Sequence, residues 1–137
     1  MAQGRAALVQ SPVGDLVVSQ GSDNTYRYRY GTRAAPDAPV EYVDLTGWAG
    51  RAQVRPRPGG DVWLSVTTEA PTDHGSTLTL DADGFVTLHV HHSETEQPAW
   101  NSPARAKGAW DLELVAPNGE VVRLVMGEVL VSADVTR

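Results

Sequence analysis

Residues Gly108 to Ser132 read GAWDLELVAPNGEVVRLVMGEVLVS. Trp110, Leu112 and Leu114 alternate with Asp111 and Glu113, so a strand here has one apolar face and one charged face. Pro117-Asn118-Gly119 stops that run, and Asn-Gly is the pair that best tolerates the positive φ of a tight primed hairpin turn. Val122, Leu124 and Met126 then resume the alternation against Arg123, although Val121 and Val125 make the other face less polar. Gly127 is expected to break the run, leaving Val129 and Val131 to a third short strand. The stretch predicts antiparallel sheet with no room for chemistry.

Upstream, the same period of two recurs. Tyr26, Tyr28 and Tyr30 share one face of a strand whose other face carries Thr25, Arg27 and Arg29. The tyrosine face is read as core, with the hydroxyls reaching partners at the rim. Ala52 and Val54 oppose Arg51, Gln53, Arg55 and Arg57; Val62, Leu64 and Val66 oppose Trp63, Ser65 and Thr67. Leu78 and Leu80 lead through Asp81-Ala82-Asp83-Gly84 to Val86, Leu88 and Val90, a second hairpin. Leu16-Val17-Val18 is a further short strand, followed by the turn-forming Gln20 to Asn24. Ser93 to Glu96 has a capping-box spacing for one helical turn, which Pro98 ends. No helical period is sustained. Short strands separated by turn signals predict an all-β fold, an antiparallel sandwich or barrel of about eight strands over residues 15–137. Residues 1–14 are read as an N-terminal arm or edge strand containing Ala7-Leu8-Val9.

Composition narrows the function. The chain has 137 residues, 41% hydrophobic and 20% charged, enough for one domain with a real core. It contains no cysteine, which excludes disulfides, thiol catalysis and cysteine-based zinc sites. A net charge of −6 disfavours a general nucleic-acid surface, which needs clustered Lys and Arg. No apolar run approaches the roughly 20 residues that span a bilayer, and the N-terminus lacks the long apolar segment of a signal peptide. Neither membrane nor nucleic acid is therefore expected as a partner.

The candidates for chemistry are few. His89, His91 and His92 are the first candidates; His89 and His91 share a strand face and could ligate a metal with Glu94 or Glu96, but that spacing is common on strand edges, and neither metal nor cofactor is expected. Asp81-Ala82-Asp83-Gly84 opens like a calcium loop, yet a strand follows where the later ligands belong, so a hairpin turn is expected. No nucleophile elbow or phosphate-binding loop is present, and no enzyme is expected. Arg51, Arg55 and Arg57 form a basic stripe, read either as a solvated face paired with Asp or Glu or as an anchor on an acidic partner. Trp110 should be core; Trp63 and Trp100 are expected to be exposed contact residues for a protein partner or, alternatively, a platform for sugar rings.

The order of these motifs resembles small all-β virion proteins of tailed bacteriophages and is similar to the N-terminal domain of siphophage upper-baseplate proteins. The resemblance runs from the aromatic strand Thr25 to Tyr30, through Asp44-Leu45-Thr46-Gly47-Trp48 and Ala52-Gln53-Val54-Arg55, to the hairpin Leu78 to Val90. It ends with Trp110 to Leu114, Pro117-Asn118-Gly119 and Gly127-Glu128-Val129. It implies a single antiparallel sandwich, immunoglobulin-like or related, used as a virion assembly module in the tail or baseplate. Other virion proteins, copies of the chain itself included, are the implied partners, and the host cytoplasm is the implied place of assembly. The chain departs from that pattern by ending at Arg137, where upper-baseplate proteins continue into a stalk or receptor-binding region. Capsid decoration is the alternative within virion proteins, and a carbohydrate-binding module is the alternative from another class.

Overall fold

A computed structural model describes residues 14–56, 62–101 and 107–132. The strands are β1 (Leu16–Ser19), β2 (Asn24–Arg29), β3 (Gly31–Thr32), β4 (Glu41–Tyr42), β5 (Ala49–Arg55), β6 (Leu64–Thr67), β7 (Thr77–Leu80), β8 (Phe85–Val90), β9 (Lys107–Val115) and β10 (Val121–Ser132). A single helical turn, α1 (His92–Thr95), and a 3-10 turn, Pro98–Asn101, lie between β8 and β9. The fold is an all-β sandwich. One layer has five strands in the order β1-β10-β9-β5-β6, the other has three in the order β2-β8-β7, and β3-β4 form a small ribbon. No helix of the described residues is long and apolar enough to cross a membrane.

The alternating residues face inward as expected. Leu112 and Leu114 of β9, Ala52 and Val54 of β5, and Val86, Leu88 and Val90 of β8 are buried in one core. Tyr30 is buried, while Tyr26 and Tyr28 are half-buried against that core. The Tyr28 ring lies 5.9 Å from that of Trp110 and so links the two layers. The turn between β7 and β8 is a hairpin, its Asp81 carboxylate accepting from the amides of Asp83 and Phe85. Gly84 there has φ +89, and a Cβ would meet the Tyr30 carbonyl at 2.8 Å, so only glycine fits.

Four local expectations need correction. First, β10 is one continuous strand. Arg123 pairs with Glu113 and Val125 pairs with Leu112, so Leu124 is an extra, bulged residue. The bulge exchanges the faces: Val125 and Val129 are buried and Met126 is exposed, the reverse of the uninterrupted alternation. Gly127 does not end the strand. It pairs with Trp110, and a Cβ on it would lie 2.2 Å from the Gly14 carbonyl oxygen, so glycine admits the backbone leading into β1. Second, the β9–β10 connection is longer than a two-residue primed turn. The Gly119 amide donates to Ala116, and Gly119 alone of the turn's residues is a glycine at positive φ, +91. Pro117, with its fixed negative φ, suits the position after Ala116.

Third, β1 pairs with β10 in parallel, Val17 opposite Leu130, in a sheet otherwise antiparallel. Ala7-Leu8-Val9 lies outside the described residues. Fourth, α1 is capped by His91 rather than Ser93, the His91 ring accepting from the Ser93 amide. The ring docks there because the strand β8 ends one residue earlier.

Candidate functional site

The outer face of the five-stranded sheet carries the side chains that alternate away from the core. Arg51 of β5 stands opposite Glu113 of β9, which stands opposite Arg123 of β10. The Arg51 guanidinium bonds the Glu113 carboxylate at 2.8 Å; Arg123 reaches Glu113 at 3.9 Å and Asp111 at 3.8 Å. Arg55 donates to the Gln53 side chain at 2.9 Å. Arg51 thus sits in a ladder of alternating charge, because register places Glu113 of β9 beside it, while Arg55 stands opposite Ala109. Such exposed pairs contribute about 0–1 kcal/mol each to stability. Arg57 lies outside the described residues.

Beside this ladder the sheet leaves a depression of about 560 Å³, bordered by Arg55, Asp111, Arg123, Met126 and Glu128. Large apolar side chains lie exposed on the same face, among them Met126 and Leu130 of β10, and Val17 of β1 at Leu130's side. The free edge of β1 is closed to strand addition by β2. The Asn24 side chain accepts from the Ser19 amide and donates to its carbonyl, and the Tyr26 hydroxyl donates to the Val17 carbonyl. Burial beneath this contact raises the Tyr26 pKa to about 12, with the neighbouring Tyr28 adding to the shift.

Of the two expected tryptophan contacts, Trp100 is not on the surface and Trp63 is only partly exposed. Trp100 is 4% exposed. The 3-10 turn Pro98–Asn101 brings its ring against Trp63, with centres 5.4 Å apart and planes tilted by 38°. Trp63 is half-buried and packs on the core. The two rings cover each other, and the polar neighbours of Trp100 concealed an inward-pointing side chain.

Sequence reasoning missed a second surface group. On the outer face of the three-stranded sheet, Arg27 lies 3.8 Å from the Phe85 ring centre, and Arg29 lies 4.4 Å from the same ring. Arg29 also covers Tyr42, at 3.5 Å. Arg27 and Arg29 were legible as one outward face, but their partner rings come from β8 and β4.

The histidines also assemble differently from the expectation. Glu94 is buried, its carboxylate accepting from the Thr72 and Ser76 hydroxyls at 2.7 and 2.9 Å, and does not face His89. His89 bonds Thr25 across the sheet. The side chains that converge are Asp23, His91 and His92. The Asp23 carboxyl is held below the usual carboxylate range, chiefly by the hydrogen bond from the His92 amide, with the nearby imidazoles adding to it.

No protein-family model matches the chain, and no curated protein matches it. Among solved structures, the chain is similar to the ZIG-8–RIG-5 IG1–IG1 heterodimer in its monoclinic form, with 12% identity and a TM-score of 0.40 over 88% of this chain and 84% of that one. It is also similar to the ZIG-8 IG1 homodimer, with 10% identity and a TM-score of 0.39 over 95% of this chain and 90% of that one.

Proposed function

We propose that this chain is a structural component of a tailed-bacteriophage particle, in the tail or baseplate, acting through contacts with neighbouring virion proteins and without catalysis. The motif order from Thr25 to Val129 supports the virion assignment by resemblance. The observation that carries the contact role is the exposed strip Val17, Met126 and Leu130 beside the charged depression on the five-stranded sheet. Large apolar groups clustered within a polar rim supply burial on association, while the surrounding charges set register and orientation. With the β1 edge occupied by Asn24 and Tyr26, the contact is face-on rather than by strand addition. Repetition of such a contact around a symmetric particle makes a weak single interface sufficient.

The test is incorporation of a Met126→Glu, Leu130→Glu variant into particles in place of the wild-type chain. Both side chains point outward, so the variant should melt within about 2 °C of wild type yet be lost from the particles. Incorporation at wild-type level would refute this face as the contact surface.

A further inference from the structure

The corner where β8 gives way to α1 holds ligand-type side chains that the contact role leaves unused. One donor atom each from Asp23, His91 and His92 lie within 4.8 Å of one another. We infer that these three residues bind one divalent first-row transition ion, such as Zn²⁺, through two imidazoles and one carboxylate, with coordination left open to solvent. This goes beyond the assembly role and does not depend on it.

Each of the three side chains is held by a second group through an atom the ion would not use. The His92 Nδ1 faces the Glu96 carboxylate at 3.3 Å. A proton on Nδ1 is donated there and Nε2 is left with a free lone pair, the carboxylate–histidine arrangement that orients metal ligands. The His91 Nδ1 lies 2.8 Å from the Ser93 hydroxyl oxygen, and that hydroxyl donates to the His74 carbonyl at 2.9 Å. In the tautomer that carries its proton on Nδ1, the ring donates to the Ser93 oxygen and Nε2 is left bare. In the other tautomer the same nitrogen accepts from the Ser93 amide at 3.2 Å, the bond that caps α1, so an ion on Nε2 selects the Nδ1-protonated ring. Asp23 accepts the His92 amide on Oδ1 at 2.8 Å, which leaves its second oxygen for a cation.

The backbone that presents these groups is itself tied together. Gln20 donates to the Thr95 carbonyl at 3.0 Å, and the Gly21 amide donates to the Thr95 hydroxyl at 2.9 Å. The turn bearing Asp23 is thereby docked on α1 without the ion. The His91 and His92 ring centres stand 4.2 Å apart, which keeps both imidazoles at the same corner. The imidazole donors select against Ca²⁺ and Mg²⁺, which take oxygen. His89 lies outside the set, its ring centre 6.4 Å from that of His91. Glu94 is committed to its two hydroxyl donors. A bound ion would tie the β1–β2 turn to the β8–α1 corner and so stabilise the folded chain.

The experiment titrates Zn²⁺ into the untagged, chelator-stripped full chain, read by calorimetry, thermal melting and imidazole ¹⁵N spectra. One ion per chain is expected, with a Tm rise on the order of 10 °C at a hundredfold excess over Kd. The His91 and His92 Nε2 resonances should shift, with both Nδ1 atoms protonated in the bound state. Asp23→Asn, which keeps an acceptor for the His92 amide, and His92→Gln should each weaken binding at least about tenfold. His89→Gln should leave it unchanged, and metal-free melts of each variant check the fold. The inference is overturned if Zn²⁺ does not bind, if binding survives both Asp23→Asn and His92→Gln, if His89→Gln alone abolishes it, or if Ca²⁺ raises Tm equally.

Discussion

Gly127→Ala tests how β1 docks on β10. The added methyl would sit 2.2 Å from the Gly14 carbonyl oxygen and 2.7 Å from its carbon, a collision with backbone that no rotamer relieves. Gly14 must move, and two hydrogen bonds hold it: its amide to the Met126 carbonyl at 2.8 Å, and the Trp110 indole to its carbonyl at 2.9 Å. Each is worth about 0.5–1.5 kcal/mol, and the stranded indole of a buried tryptophan adds about 1–3 kcal/mol. Replacing a strand glycine returns roughly 0.5–1 kcal/mol of backbone entropy. The net loss is about 1–5.5 kcal/mol, which lowers a urea midpoint by roughly 0.5–3 M at an ordinary m-value. Urea unfolding followed by tryptophan fluorescence measures the midpoint, and exchange of the Trp110 indole proton reports the broken bond. An unchanged or raised midpoint with the indole still protected would refute the parallel docking of this segment.

Two further outcomes follow from the interior. Trp100→Ala should cost about 3–5 kcal/mol in urea unfolding, as expected for a buried ring; a loss under about 0.5 kcal/mol would return Trp100 to the surface and revive the sugar platform. Because Tyr26 is neutral in the fold up to a pKa of about 12 but ionises near 10 when unfolded, its contribution is complete below pH 10 and is lost as pH rises toward 12. Tm should fall across that window and fall less in Tyr26→Phe; equal slopes in both proteins would contradict the burial of this hydroxyl.

The sequence disclosed what depends on neighbours along the chain and concealed what depends on pairing. In β9, Trp110, Leu112 and Leu114 alternate with two carboxylates, so one period with one buried face was unambiguous. In β10, apolar residues occupy both faces, and the pattern could not reveal the bulge at Leu124 that turns Met126 outward. Gly127 was ambiguous by its nature, since a glycine that ends a strand and one that admits another backbone look alike until Gly14 is in view. The basic face of β5 and the acidic face of β9 were each legible; the register that joins Arg51 to Glu113 was not. The histidine cluster was half visible, because Asp23 lies 69 residues from His92 in a turn that only the fold brings alongside.

The most direct test of the virion role is quantitative mass spectrometry of purified particles, with heads and tails separated, from the virus or prophage carrying this gene. The account predicts the chain in the tail fraction at a fixed ratio to other tail proteins. Recovery in the head fraction alone would contradict the tail assignment in favour of capsid decoration, and absence from both fractions would contradict the structural role altogether.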